Sequence, residues 1–345
     1  MKTHLKKLIK ASLASAGYST GLLQRYVASR LSGRAAVLMY HRVLPAELAA
    51  RTFSTDGIVV TAEAFRMQMR VVREQLNPLT IAQFARCMRE GIFPDRACLV
   101  TFDDGWYDNR EYALPILREM QVPAVVFLAT DYVGTGECFW QERLSQMLHF
   151  GLESDPEVRR SLSESLQVDL ESARGAPDRR AAARKLVDQV KRLPAARIRA
   201  AVDQAAAILA RVGGYSDNRS VDRFMDWTDA QALHSDATFA IGSHCCTHTP
   251  LTKLAPAEVV NELDRSGARI AQMTGSRPVT MAYPNGDCST AIAAATRDAG
   301  YELAFTTERG YVAPGDAPQQ LRRINVHEHS AATPGLFLAR IALLH

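Results

Sequence analysis

The sequence lacks the features that mark small secreted, membrane-spanning and nucleic-acid-binding proteins. Six of its 345 residues are cysteines and none belongs to a CxxC pair, so reduced thiols are expected in place of a disulfide framework. No run approaches the ~20 apolar residues that cross a bilayer. The sequence contains 41 lysines and arginines and 37 aspartates and glutamates. This excess of positive charge is too small for a dedicated nucleic-acid-binding face. The remaining composition is that of a globular protein that can bury a core.

The N-terminal segment also lacks the apolar core of a secretory signal. Polar residues such as Lys10, Ser12 and Ser15 interrupt its apolar positions, which predicts a protein of the cytoplasm or of the inner face of the membrane. Lysines and apolar residues between positions 2 and 13 follow the pattern of a short basic amphipathic helix. Such a helix either lies solvated on the surface or contacts a membrane peripherally, and the sequence leaves both alternatives open. Nothing in the pattern predicts an oligomeric state.

Seven short apolar runs, with helical patterns between several of them, predict an α/β fold. The runs are Ala35–Tyr40, Cys98–Phe102, Pro123–Thr130, Thr238–Gly242, Val279–Tyr283, Glu302–Thr306 and Leu321–Val326. This alternation is typical of βα units around a parallel sheet or barrel. Polar clusters follow nearly every run, and the loops after the carboxyl ends of the strands build the functional site in such folds.

A stretch rich in alanine, arginine, glutamate and leucine separates the third run from the fourth. It contains few strand formers and predicts a helical insertion at about 134–224. The predicted organisation is an N-terminal helical extension at 1–34 and one domain at 35–345 that this insertion interrupts. A solvated helix face is the simplest interpretation of the arginines in the insertion, and contact with substrate is the alternative.

Two adjacent carboxylates end the second run. Burying two like charges side by side is costly unless a cation or a shared proton compensates them. Because successive side chains of an extended backbone point in opposite directions, one of Asp103 and Asp104 can bind a metal ion while the other faces a water molecule. Asp-Asp-Gly is also a common sequence in turns. From this pair alone, a functional role and a purely structural turn are equally open.

Two histidines four residues apart follow the fourth run. On a helical turn this spacing places His244 and His248 on one face, close enough to share one ion of the size of Zn²⁺. With a carboxylate from another strand end, they predict a two-His, one-Asp site with an open position for water, as in catalytic metal centres. Cys245 and Cys246 are weaker candidate ligands, because on a helical turn they point away from the histidine face.

The fifth run breaks at the turn Pro284-Asn285-Gly286. Such a turn exposes backbone N–H groups, and a donor aimed at a developing oxyanion is what hydrolysis of an amide or ester requires. An ordinary turn without a catalytic role is the alternative.

In order and content, these three clusters resemble the motifs of the polysaccharide deacetylase family, the metal-dependent enzymes of carbohydrate esterase family 4. The matching motifs are TFDDG, SHxxxH followed by TPLTKL, and AYPNG, and the resemblance covers about residues 35–133 and 225–330. The opening segment Val37–Val43, together with AYPNG, is most similar to the branch that acts on poly-β-1,6-N-acetylglucosamine and related exopolysaccharides. The fold that this resemblance implies is a distorted (β/α) barrel with a helical insertion.

The resemblance also implies a role for each matching residue. The implied metal ligands are Asp104, His244 and His248. The implied base is Asp103, which would deprotonate the metal-bound water, and the implied oxyanion donor is the backbone N–H of Asn285. The implied substrate-binding residues are Tyr283, Pro284 and Trp227, the last of these with core packing as the alternative.

This sequence departs from the common family pattern at three points. Asn285 replaces the common tyrosine, which should matter little if only the backbone donates. Ala282 stands where much of the family has an arginine that orients the base, which agrees with the exopolysaccharide branch. The family's late Leu-x-His, the source of the general acid, is not clearly present. In the exopolysaccharide branch the acid comes from the early Tyr-His segment, so His41 is favoured as the acid and His327 is the alternative. A purely structural His41 stays open.

The resemblance therefore predicts a hydrolase that removes acetyl groups from N-acetylated sugars in a polysaccharide, an oligosaccharide or a lipid-linked precursor, and releases acetate. Zn²⁺ is the expected metal, and Co²⁺, Ni²⁺ and Fe²⁺ also suit two histidines and an aspartate. The alternatives are an O-acetyl esterase and a carbohydrate-binding protein without turnover, the second motivated by the unclear acid motif. N-acetylated glycan is the expected partner, and nucleic acid is not.

Overall fold

A computed structural model describes residues 2–212, 215 and 220–344, except for the side chains of residues 2–8, 195 and 196. The chain divides into two compact units. The first comprises Met1–Ala49, Asp56–Thr135 and Phe224–His345, and the second comprises Ala50–Thr55 and Gly136–Arg223.

The strands all belong to the first unit. They are β1 (Ala35–Tyr40), β2 (Arg42–Leu44), β3 (Val59–Thr61), β4 (Asn77–Pro78), β5 (Ala97–Phe102), β6 (Ala124–Leu128), β7 (Phe239–Ser243), β8 (Thr280–Ala282), β9 (Leu303–Arg309) and β10 (Leu321–Asn325). The helices of this unit are α1 (Lys2–Ser19), α2 (Leu22–Arg30), α3 (Ala46–Ala49), α4 (Ala62–Gln75), α5 (Ile81–Glu90), α6 (Leu114–Met120), α12 (Trp227–His234), α13 (Pro256–Thr274), α14 (Thr290–Asp298), α15 (Glu328–Ala331) and α16 (Pro334–Ile341). The helices of the second unit are α7 (Trp140–Glu153), α8 (Pro156–Leu166), α9 (Leu170–Ala173), α10 (Arg179–Val190) and α11 (Ala195–Ala210).

Seven parallel strands close into a barrel in the order β1-β10-β9-β8-β7-β6-β5. The pairing of β1 with β5, from Ala35 opposite Ala97 to Tyr40 opposite Phe102, completes the closure. Each of the seven apolar runs forms one of these strands, so the predicted (β/α) barrel is confirmed. Every residue of β1 and β5 is buried, because in such a fold helices cover the outer face while side chains fill the interior.

The carboxyl ends of the barrel strands carry the loops that contain the polar clusters. One of these loops is held by α13, which begins with Pro256 at its first turn and buries Val259, Glu262, Leu263 and Ser266 against the barrel. Proline is tolerated at this position because the first N–H groups of a helix have no intrahelical partner. The inward face of α13 therefore brings one carboxylate, that of Glu262, beneath the loop after β7.

The second unit has an apolar core of its own. Leu148, Leu162, Leu186 and Leu209, from four different helices, are each at most 3% exposed. The described part of residues 136–223 is helical and without strands. The division into an extension at 1–34 and an interrupted domain at 35–345 stays a prediction about domain organisation.

The helices α1, α2 and α16 pack together in the first unit. Gly335 makes this possible, because a Cβ at this position would lie 2.4 Å from the carbonyl oxygen of Ala14. Within the described residues, no helix is long and apolar enough to span a membrane.

Candidate metal centre

The carboxylate pair lies where β5 leaves the barrel. Asp103 still follows the strand, since its N–H donates to the carbonyl of Tyr40 at 3.0 Å. At Asp104 the backbone turns into the left-handed region, with φ of 78°. This reversal separates the two side chains, so that each meets a different set of partners although they are adjacent in sequence.

The histidine loop follows β7 without forming a helix. The N–H of His244 donates to the carbonyl of Leu128 at 2.8 Å, and the backbone is then left-handed at Cys245 and at His248, with φ of 62° and 56°. The predicted helical turn is therefore wrong. Two left-handed residues coil the loop back on itself and bring the imidazole rings to 5.0 Å between centroids.

A buried carboxylate holds the histidine loop in this shape. Glu262 of α13 accepts from the N–H groups of Cys246 and Thr247, at 2.8 and 3.1 Å. The side-chain oxygen of Ser243 accepts from the N–H of Cys245 at 3.1 Å. Left-handed backbone costs about 1–3 kcal/mol per strained residue, and hydrogen bonds of this kind offset that cost.

Backbone strain is concentrated in these loops. Eight non-glycine residues of the described chain have positive φ, and four of them lie in the three predicted motifs: Asp104, Cys245, His248 and Asn285. Strained residues persist where the surrounding structure over-determines them, and they cluster at functional sites. The distribution therefore points to the same end of the barrel as the motifs do.

One aspartate and two histidines converge on a common point. The Oδ1 atom of Asp104 lies 3.4 Å from His244 Nε2 and 3.3 Å from His248 Nε2. The three ligand atoms all lie within 4.8 Å of one another. The structure therefore brings together the three residues that the resemblance names as metal ligands, from two loops that are separated by 140 residues of sequence.

The surroundings of these side chains fit a metal ion. Asp104 Oδ1 is buried and has no hydrogen-bond partner, while its Oδ2 accepts from Trp106 Nε1 at 2.8 Å. His244 Nδ1 lies 2.7 Å from the carbonyl of Ala282, which assigns the proton to Nδ1 and leaves Nε2 with a free lone pair. Outer partners of this kind orient the ligands of metal sites, and a cation would satisfy the orphaned oxygen.

The site favours the deprotonated carboxylate. Burial raises the pKa of Asp104, but contact with His244 and the charges of His248 and His41 lower it further, and the net result lies well below the usual range. Burial lowers the pKa of His248 to about 4, so this imidazole is neutral at pH 7. For His244, burial lowers the pKa, but the Asp104 and Asp103 carboxylates more than compensate, and the net shift is upward.

The two cysteines do not join this cluster. Cys245 is fully buried in an apolar cluster with Leu251 and Met281. The Cys246 thiol donates to the carbonyl of Glu262 at 3.5 Å and accepts from Arg265 at 3.2 Å. In the described part of the chain the sulfur atoms are therefore engaged with the packing of the loop.

The second carboxylate, Asp103, is held by an arginine that the sequence analysis missed. Arg323 of β10 donates from both Nη atoms, each at 2.7 Å, to the two oxygens of Asp103. Its Nε donates to the carbonyl of Thr306 at 2.8 Å. Both side chains of this ion pair are buried, at 0% and 2% exposure. Burial raises the pKa of Asp103, but the charge and hydrogen bonds of Arg323, together with the nearby His244 and His41, outweigh burial, so the pKa is lowered overall.

The resemblance implies that an arginine orients the base in much of the family, from the position that is Ala282 here. In this chain Arg323 contacts the Asp103 carboxylate from a different strand. The sequence signal for it is weak but present, since Arg322 and Arg323 are consecutive in a strand and must point to opposite sides. Arg322 is exposed and Arg323 is fully buried, so the second of the two faces the barrel interior.

Of the two candidate acids, His41 is the one that the structure places beside Asp103. His41 Nε2 lies 3.8 Å from Asp103 Oδ2, and the imidazole is 15% exposed. His327 precedes α15 and its pKa is lowered by burial and by the neighbouring Arg340. Among the described residues, the charged groups that act on His327 are Arg340, His329 and Asp56.

Of the three residues at the turn after β8 for which a role is predicted, only Asn285 is exposed. Asn285 is exposed and adopts φ of 59°, and its carbonyl accepts from the hydroxyl of Thr307 at 3.1 Å. Pro284 is buried. Tyr283 has no exposed surface and donates its hydroxyl proton to the carbonyl of Gln319 at 2.9 Å. The Tyr283 ring thus lies in the core, where its hydrogen bond to Gln319 holds it, and its role in substrate binding stays a prediction.

Trp227 opens α12 and is only partly buried. The guanidinium of Arg269 lies 5.2 Å from the centre of its ring, and the ring packs against the main core. The tryptophan that contacts Asp104 is Trp106. Its ring is fully buried between Phe224, stacked at 4.3 Å, and the guanidinium of Arg42 at 4.2 Å. The sequence TFDDGW places Trp106 two residues after Asp104, and this proximity is the signal that could have identified it.

Comparison with known proteins agrees with this site. The family model "Polysaccharide deacetylase" matches residues 90–165 and 204–304, about half of the chain. The poly-β-1,6-N-acetyl-D-glucosamine N-deacetylase of Staphylococcus epidermidis is 30% identical over 112 residues, which is 29% of this chain and 38% of that protein. The alignments with the first curated relatives span less than two-fifths of their length.

Two solved structures share the fold. The Streptococcus pyogenes deacetylase PplD, in complex with acetate, has a TM-score of 0.57 at 15% identity, covering 89% of this chain and 98% of that one. IcaB from Ammonifex degensii has a TM-score of 0.57 at 17% identity, covering 89% and 97%. At this identity the likeness concerns the fold alone. Because the family model matches half of the sequence and includes the TFDDG and SHxxxH segments, the chain belongs to the polysaccharide deacetylase family.

Proposed function

We propose that the protein is a metal-dependent N-deacetylase that hydrolyses the acetamide of N-acetylated sugars and releases acetate. One observation carries this proposal. The orphaned oxygen of Asp104 and two imidazole nitrogens converge at 3.3–3.4 Å, and the adjacent carboxylate of Asp103 is held separately by Arg323. A metal-ligating carboxylate beside a second, oriented carboxylate is the arrangement that hydrolysis by an activated water requires.

A divalent cation held by Asp104, His244 and His248 would polarise the acetamide carbonyl and lower the pKa of a water molecule. Zn²⁺ suits one carboxylate and two imidazoles, and Co²⁺, Ni²⁺ and Fe²⁺ are the other candidates.

Asp103 acts as the base in this proposal. Its carboxylate accepts the proton of the attacking water, and Arg323 fixes its orientation by binding both oxygens. Because a side chain that is locked in this way needs no reorganisation during the reaction, the pair contributes preorganisation. The backbone N–H of Asn285, at the exposed turn after β8, donates to the developing oxyanion.

His41 protonates the leaving amine. Its Nε2 lies within 3.8 Å of Asp103, so the acid and the base are near enough to act on opposite sides of one acetamide. The buried Nδ1 of His41 has no hydrogen-bond partner within the described residues. His327 has no comparable contact recorded with Asp103 in the described chain.

The relatives support a substrate class for this proposal. The Staphylococcus epidermidis relative acts, by its name, on poly-β-1,6-N-acetyl-D-glucosamine. We extend this to the present chain as an N-acetylated sugar in a polysaccharide, an oligosaccharide or a lipid-linked precursor. A location in the cytoplasm or at the inner face of the membrane stays a prediction.

Acetate release from β-1,6-linked N-acetylglucosamine oligosaccharides tests the proposal, with an O-acetylated glycan as the comparison substrate. Three variants accompany the wild type: Asp103→Asn, His244→Ala and the control His234→Ala, which changes an exposed histidine at the end of α12. Metal content is measured by elemental analysis on protein purified without added metal.

We expect one divalent ion per wild-type chain and per His234→Ala chain, and none in His244→Ala. Asp103→Asn is expected to keep its metal while losing at least ~10²-fold in acetate release, in the range typical of a general base. Wild-type protein that binds metal but releases acetate only from the O-acetylated glycan would show an esterase. Absence of metal and of turnover, even after incubation with Zn²⁺ or Co²⁺, would contradict the proposal and favour the alternative of a carbohydrate-binding protein without turnover.

A further inference from the structure

An apolar patch lies on the surface of the first unit, far along the chain from the metal ligands. Eight large apolar side chains are exposed in the described residues, and five of them share this patch: Ile9, Leu13, Leu22, Tyr26 and Leu344. Leu13 and Leu22 are the most exposed of the five, at 69% and 64%. They surround a groove of about 540 Å³ between α1, α2 and the residues after α16. We call these five residues the N-terminal patch.

The patch belongs to a folded surface. Ala14 of α1 and Leu23 of α2 line the bottom of the groove and are buried in the main core, to which Val27 of α2 also belongs. The close approach of α1 to Gly335 adds a second anchor. The five exposed side chains therefore rise from helices that are fixed to the core, and nothing in the described chain covers them. Exposed apolar patches of this kind mark interaction sites.

The segment that carries α1 and α2 has charges of one sign. Residues 1–34 contain seven lysines and arginines and neither aspartate nor glutamate. Lys10 lines the groove, and Arg25 and Arg30 are exposed on α2. The pKa of Lys10 is lowered by partial burial and by the charges of Arg340 and Arg309.

We propose that the N-terminal patch docks the protein on the surface of an anionic lipid bilayer. Apolar side chains in the centre would enter the interface, and the surrounding lysines and arginines would pair with lipid phosphates. A second copy of the chain fits this surface poorly, because a two-fold interface places the same patch against itself and would bring two cationic rims together. The proposal concerns a lipid surface and is independent of the reaction at the metal site.

Vesicle sedimentation tests this docking on the full chain. The vesicles contain phosphatidylglycerol with phosphatidylethanolamine, and vesicles of phosphatidylcholine alone serve as the uncharged comparison. The variants are Leu13→Ser combined with Leu22→Ser, Lys10→Glu, and the control Ile92→Ser. Ile92 is 70% exposed but lies outside the patch, so it reports the effect of losing an exposed apolar side chain elsewhere. Circular dichroism checks that each variant is folded.

We expect the wild type and Ile92→Ser to bind the anionic vesicles, with binding that weakens as salt is added. The double serine variant should lose about ten-fold or more in partitioning, and Lys10→Glu about five-fold or more. Equal binding to both vesicle types, no binding to either, or full binding by the folded double variant would overturn the proposal. A concentration-dependent dimer in light scattering that the double serine variant abolishes would also overturn it, in favour of a second copy.

Discussion

The ion pair between Arg323 and Asp103 supplies the sharpest test of the site, through the substitution Arg323→Met. Methionine keeps an apolar chain of similar length but leaves the Asp103 carboxylate without its two hydrogen bonds of 2.7 Å. Because neither side chain is exposed, solvent does not screen the loss. Removing one partner of a buried pair costs about 3–5 kcal/mol of unfolding free energy, and the carbonyl of Thr306 also loses its donor.

The pH dependence of this loss has a definite sign. In the wild type the pKa of Asp103 is lowered, so its contribution to stability is present above the unfolded pKa of ~3.9 and is lost as pH falls through the folded pKa. Without Arg323, burial dominates and raises the folded pKa above the unfolded value. The native variant then binds a proton that the unfolded chain lacks, so its stability falls as pH rises, by at most ~1.4 kcal/mol per pH unit.

The assay is urea unfolding of metal-free protein at several pH values between about 4 and 7. The matched control is Arg322→Met, which removes the neighbouring arginine from an exposed contact of 3.7 Å with Glu308 and should change stability by no more than about 0.5 kcal/mol. The gap between wild type and Arg323→Met should widen from pH 4 to pH 7. A gap below about 1 kcal/mol at pH 7, or one that narrows with rising pH, would refute the reasoning.

Three further substitutions test the supports of the site. Trp106→Phe removes the indole donor to Asp104 and should weaken metal binding about 10–100-fold, measured by competition with a chelator; unchanged affinity would contradict the assigned support. Glu262→Gln weakens the acceptor for two backbone N–H groups of the histidine loop and should lower unfolding free energy by about 1–3 kcal/mol, and a stability equal to the wild type would argue against that anchor. Gly286→Ala places a Cβ 2.1 Å from the hydroxyl oxygen of Thr307, at a residue whose φ is 78°. The variant should lose more than about 2 kcal/mol of unfolding free energy, measured by thermal unfolding. A variant as stable as the wild type would show that the turn relaxes freely.

The barrel could be predicted from the sequence because its signal is local. Each of the seven strands coincides with a short run of apolar residues, most of which are buried, and each run lies within a few residues of the observed strand. The sequence also predicted that the TFDDG and SHxxxH loops lie close together, because the carboxyl ends of parallel strands meet at one end of a barrel.

The remaining details of the site depend on contacts that spacing does not encode. The histidine spacing suggested a helical turn, but buried hydrogen bonds to Glu262 stabilise two left-handed residues instead. The role of Arg323 required the register of β10, because a shift of one residue would exchange it with Arg322. The AYPNG motif does not tell whether the Tyr283 ring is exposed or buried, and only the packing shows that it lies in the core.

The closure of the barrel has a consequence for the order in which this protein becomes competent during synthesis. Asp103 is made early, but Arg323 emerges 220 residues later, in the last strand to be translated, which pairs with the first. A nascent chain that has passed β9 already carries Asp104, His244 and His248, yet its Asp103 carboxylate has no guanidinium to orient it. Such a chain would hold the three candidate metal ligands in an open sheet, beside a carboxylate without its two hydrogen bonds from Arg323. The final strand therefore closes the barrel and brings Arg323 to Asp103 in a single event.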